Sequence, residues 1–97
     1  MLVDVVVDPA RAGPIAIHLY TLSTDGAQLD VPDVTATLSL PSAGINGLPV
    51  PLQKGGPGHF LVGGFQVPLR GTWTLDIAVR TTEFDKFDAN PVSVRMR

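Results

Sequence analysis

The chain contains no cysteine. Disulfides, thiolate metal centres and cysteine nucleophiles are excluded together. The absence leaves the compartment open, because an extracytoplasmic domain of this size can fold without a bridge. Charge is scarce too: charged residues make up 16% of the 97 positions, against roughly 25% in an average soluble domain. The 7 Lys and Arg are scattered among 9 Asp and Glu, for a net charge of −2. A surface that tracks phosphates needs its cations clustered, so nucleic acid is not an expected partner. No apolar run approaches the roughly 20 residues that cross a bilayer as a helix. No export leader is read either, since strand-like sequence follows Met1 at once. For a domain acting outside the cytoplasm, the expectation is that residues 1–97 are a piece cut from something longer, with Met1 a cloning start.

What remains is a chain 44% hydrophobic, punctuated by 10 glycines and 9 prolines and without a convincing helical period. Strand signals dominate. Thr72–Arg80 sets Trp73, Leu75, Ile77 and Val79 on one face, with Thr74, Asp76 and Arg80 on the other. Val34–Leu40 repeats the pattern, and Leu2–Asp8 offers Val3, Val5 and Val7 inward. Val92, Val94 and Met96 alternate with Ser93 and Arg95. Period two with one apolar face is the mark of a half-buried antiparallel strand. Ile15–Leu22 is largely apolar on both faces, as suits a strand central to its sheet or one packed on a neighbour. Weaker strands are read at Pro49–Gln53 and His59–Val62, joined by a glycine-rich turn over residues 54–58. Residues 42–47 read as a longer loop, and Thr24-Asp25-Gly26 as a turn.

The expected fold is therefore all-β: an immunoglobulin-like antiparallel β-sandwich of about seven strands, one domain over residues 1–97. The segment VDPARAGP (Val7–Pro14) reads as the corner between the first two strands. Pro9 and Pro14 lack backbone donors, Pro14 biases Gly13 toward extended geometry, and Arg11 is left facing solvent.

Tests for chemistry return little. Pro41-Ser42-Ala43-Gly44 lacks the glycine that precedes a nucleophilic serine, and Leu61 stands where Gly56-Pro57-Gly58 would need the third glycine of a dinucleotide fingerprint. No nucleophile–base pair can be assembled, so the chain is not expected to be an enzyme. Glu83, Asp85 and Asp88 cluster, but without the order of a calcium loop and with Lys86 among them; a solvated acidic turn is the expectation. Two histidines remain. The plain reading makes His18 a sheet-face residue with one hydrogen-bond partner and His59 a turn residue. The alternative is a metal site closed by antiparallel strands, since nothing in their spacing is local. Copper(I) favours thioether and imidazole, yet Met1 and Met96 are the only thioethers, and Met96 alternates in phase with the core. Trp73 is expected in the core.

Read in order, DPARAGP, GPGHF, GTWTL and RTTEFD resemble one family over about Val5 to Val94. It is the C-terminal extracytoplasmic domain of actinobacterial copper-resistance membrane proteins of the CopC–CopD fusion type, a small β-sandwich related to the YtkA/FixH-like group. The resemblance implies an outward-facing accessory domain, tethered to the cell membrane through its parent protein. Its expected partners are the membrane-embedded and CopC-like parts of that parent. Copper is the one cofactor it brings into view, but it supplies no ligand set, because the family's copper-binding histidines belong to the CopC-like domain. His18 and His59 lie within segments that carry the resemblance, and they are the metal candidates. The competing expectation is a structural or protein-interaction module that binds no metal.

Overall fold

Alternation decides which side of each strand is buried. In β7 (Gly71–Arg80), Trp73, Leu75, Ile77 and Val79 are buried while Thr72, Asp76 and Arg80 are exposed. In β3 (Asp33–Leu40), Val34, Ala36, Leu38 and Leu40 are buried by the same rule. The structure is a computed structural model and describes residues 1–82 and 85–97. Its other strands are β1 (Leu2–Asp8), β2 (Gly13–Leu22), β4 (Ile45–Val50), β5 (Gln53–Gly56), β6 (His59–Val67), β8 (Lys86–Asp88) and β9 (Val92–Met96). One sheet runs β1-β2-β6-β5; the other runs β4-β3-β7-β8, with β9 also paired to β7. All pairs are antiparallel. This is the strand order of an immunoglobulin-like sandwich, with β4 added beside β3 and the last strand broken into β8 and β9.

Ile15, Ile17, Leu19 and Phe60 of the first sheet meet Leu38, Trp73, Leu75 and Val79 of the second, all at most 2% exposed. Each such aliphatic or Phe side chain contributes about 1.5–3 kcal/mol of transfer free energy. Trp73 Nε1 donates to the Leu69 carbonyl at 2.9 Å, so the indole enters the core without an orphaned donor. Met96 is 1% exposed and also lies in the core. Thr21, the one buried polar residue among those described, donates its hydroxyl to the Leu29 carbonyl at 2.6 Å.

There are nine strands among the described residues, more than the alternation foretold, and the differences have local causes. Residues 42–47 are not one loop. A 3₁₀ turn over Pro41–Ala43 leads into β4, whose phase is broken by a register shift between Leu38 and Leu40 and by Gly47 at φ +70°. The strand expected at Pro49–Gln53 is divided, with Pro51 and Leu52 lying between β4 and β5. Part of the glycine-rich turn over 54–58 is β5 itself. The strand starting at His59 runs on to Val67, because a bulge at Gly63–Gly64, with Gly64 at φ +65°, resets the inward phase from Val62 to Phe65. Of the acidic cluster, Asp88 lies in β8 and is paired with Lys86 at 3.5 Å; Glu83 lies outside the described residues.

VDPARAGP is the corner between β1 and β2, with Arg11 exposed. Gly13 takes φ +106°, a conformation that favours glycine, so the strand restarts through this residue rather than through ordinary extended geometry before Pro14. Ala12 N–H donates to Arg97 O at 2.8 Å and Arg97 N–H to Ala10 O at 3.1 Å, tying the corner to the chain's last residue. Among the described residues no helix is long and apolar enough to cross a membrane.

Candidate functional site

The register of β2 and β6 sets Tyr20 opposite His59 and His18 opposite Leu61. These four side chains point away from the core, because their neighbours Leu19 and Phe60 are the inward pair. His18 and His59 are thus diagonal neighbours on the outer face, 41 positions apart in the chain. His59 opens a strand and is not a turn residue.

His18 Nδ1 and His59 Nε2 lie 3.2 Å apart. The ring centroids are 5.4 Å apart and the planes differ by 12°. For nearly parallel rings, so large a centroid separation with so short an N···N distance requires the rings to lie almost in one plane, edge to edge. They are not stacked on one another. Imidazole lone pairs and N–H bonds lie in the ring plane, so the two nitrogens face each other along their bonding directions. Tyr20 is what stacks: its ring lies 4.7 Å from that of His59 with planes 2° apart, fixing one face of the imidazole. Opposite Tyr20 on β1 is Asp4. Gly55 of β5 borders the other side, where an added Cβ would stand 3.3 Å from His59 Nδ1 and run into the end of Leu61.

Two states fit this geometry. In one, a facing nitrogen carries hydrogen and donates to the other. In the second, both rings carry hydrogen on their outer nitrogens, His18 Nε2 and His59 Nδ1, and present two lone pairs to a cation. Metal–imidazole bonds are about 2.0 Å, so a collinear pair needs nitrogens about 4 Å apart. Opening the present 3.2 Å gap to that value takes less than about 1 Å of movement from two half-buried rings. A closed tetrahedral site does not fit. Among the described residues no three His, Cys, Asp or Glu converge. Neither thioether completes one either, since Met96 is buried in the core and Met1 packs against it. The donor set suits a cation content with two imidazoles, as monovalent copper is, and not one that demands four ligands.

Asp25 is fully exposed, and its carboxyl is held below its ordinary range by the Ser23 hydroxyl first and the Ala27 backbone N–H second; it closes a turn. Sequence reading gave Tyr20 no part in a site, and it missed Gly55. The only signal for either was the β2–β6–β5 register, which is not written in local sequence. Compared with known proteins, the chain matches no family model, no curated protein and no solved structure.

Proposed function

We propose that this is a non-catalytic, extracytoplasmic accessory domain of a copper transport or resistance membrane protein, holding monovalent copper weakly between His18 Nδ1 and His59 Nε2. The observation that carries the reading is the in-plane opposition of those two nitrogens across β2 and β6. The resemblance of DPARAGP, GPGHF, GTWTL and RTTEFD to the copper-resistance family supports the setting, and the two-imidazole donor set is compatible with copper. The ion is cargo in this reading. A site with two protein ligands on an open sheet face leaves coordination positions free, so a partner domain can take the ion by adding its own ligands. Tyr20 holds the orientation of the His59 ring while this happens.

Titration with Cu(I), buffered by a competing chelator, tests the reading in the wild-type chain and in His18→Ala and His59→Ala. One ion per chain is expected, with affinity lost on either substitution and Zn(II) bound far more weakly. A chain indifferent to Cu(I), or one whose affinity survives both substitutions, removes the copper assignment.

The second reading is an interaction module that binds no metal. It is favoured by Leu2 and Val6, 48% and 50% exposed on the outer face of β1.

A further inference from the structure

We propose that β1 is a self-pairing edge, through which two copies of this chain join antiparallel and turn two four-stranded sheets into one continuous sheet. Among the described residues β1 is hydrogen-bonded to β2 alone, in unbroken register from Leu2↔Leu22 to Asp8↔Ala16. Its other side therefore directs alternate N–H and C=O groups outward, and among the described residues no backbone partner takes them.

The other edges are obstructed in the usual ways. β4 carries Gly47 and Pro49. β5 has four residues, a bulge at Gly55–Gly56, and Lys54 turned inward over the Phe60 ring to reach Asp30 and the Val31 carbonyl. The β8–β9 edge is interrupted at residues 89–91, where Pro91 sits. β1 has no proline, glycine, lysine or bulge, and five of its seven residues are Val or Leu. Edges of this kind pair with another strand unless something prevents it.

The position of the two aspartates selects the partner and the register. Outer residues can face only outer residues, since a shift by one residue would set them against the core face. With Val5 on the two-fold axis, all seven residues overlap. Asp4 then lies opposite the partner's Val6, and Leu2 opposite the partner's Asp8. Moving the axis to Asp4 sets the two Asp4 carboxylates directly opposite each other. Moving it to Val6 sets Asp4 opposite the partner's Asp8. Like charges directly opposed are destabilising, so charge pattern and overlap choose the same register. The sequence of β1 is complementary to itself read backwards, which is what a two-fold interface requires. Exposed Val6 and Leu2 gain cover in the process. The pairing is made by the backbone edge of β1 and uses neither histidine, although Val6 lies opposite His18 and Asp4 opposite Tyr20 on the same outer face.

Sedimentation velocity of the full chain over a wide concentration range tests this, with amide hydrogen exchange as the reporter of backbone pairing. The wild type is expected to dimerise reversibly, and alternate amides of β1 to exchange more slowly as the dimer fills. Val6→Lys is expected to dimerise at least as strongly at low salt, because the new lysine meets the partner's Asp4, and to weaken in concentrated salt. The double variant Asp4→Lys, Val6→Lys sets lysine against lysine and is expected to be monomeric. Both positions are exposed, and far-UV circular dichroism checks that the fold survives. A wild type that stays monomeric throughout overturns the proposal. So does loss of association in Val6→Lys alone, which would mark a nonspecific apolar patch, and so does a double variant that still dimerises.

Discussion

Gly55 stands so close to His59 that a methyl group on Gly55 would lie 3.3 Å from the imidazole Nδ1 while colliding with the end of the Leu61 side chain. Leu61 is half-buried and its terminal methyl can swing away; the His59 ring, stacked on Tyr20, has less freedom. Gly55→Ala should therefore leave stability within about 1 kcal/mol of wild type, as a surface substitution with one flexible clash does. It should still displace the His59 imidazole proton resonances and weaken Cu(I) binding. Unchanged resonances would mean that the ring has room this geometry denies it.

Gly58 makes the opposite case. It is buried at φ +66°, and a Cβ there would stand 3.0 Å from two backbone carbonyls, those of Leu29 and Thr21. Backbone cannot swing aside, and the left-handed conformation adds its own cost. Gly58→Ala should destabilise by about 2–3 kcal/mol, read as a lower urea midpoint with unchanged slope.

Thr21 is fully buried, and its hydroxyl bonds the Leu29 carbonyl, whose N–H in turn donates to Thr21 O at 2.9 Å. Thr21→Val keeps the shape and removes the donor, leaving that carbonyl short of a partner. The expected loss is about 1–2 kcal/mol by denaturant titration. Thr21→Ser keeps the donor and should lose less.

Asp25 gives the acid limb a sign. Its carboxylate accepts from the Ser23 hydroxyl and the Ala27 N–H, and these bonds lower its folded value below the ordinary 3.8. A depressed carboxyl stabilises the fold above its unfolded value, and that contribution fades as pH falls through the folded one. Asp25→Asn should be less stable than wild type at neutral pH, with a flatter pH dependence below about pH 4. Thermal melts from pH 2 to 7 would show whether the two chains converge in acid; a constant offset would mean the turn is held by something else.

Trp73 is the only tryptophan, is fully buried, and donates to Leu69 O. Trp73→Phe removes a ring's worth of contact and that hydrogen bond. A loss of about 2–3 kcal/mol is expected, followed by circular dichroism because the fluorescence probe goes with the side chain.

Polarity alone marked the inward residues wherever a strand ran unbroken. Burial repeats with period two along a strand, so the inward places of Trp73, Leu75, Ile77, Val79 and Met96 follow from polarity alone. The corner at Val7–Pro14 was legible for a similar reason, since proline and glycine act on the backbone locally. Phase was lost wherever a glycine in the left-handed region inserted an extra residue, as at Gly47 and Gly64, because a bulge resets the alternation without changing composition. The site lay beyond local reading altogether. Ladder hydrogen bonds are made by backbone groups that every residue but proline carries, so no side chain announces its cross-strand partner. Only the packing of two sheets fixed the β2–β6 register that brings His18 and His59 to 3.2 Å and lays Tyr20 against one of them. The same closure left β1 at the rim with its pattern of aspartates exposed, a pattern present in the sequence from the start but without meaning until the strand became an edge.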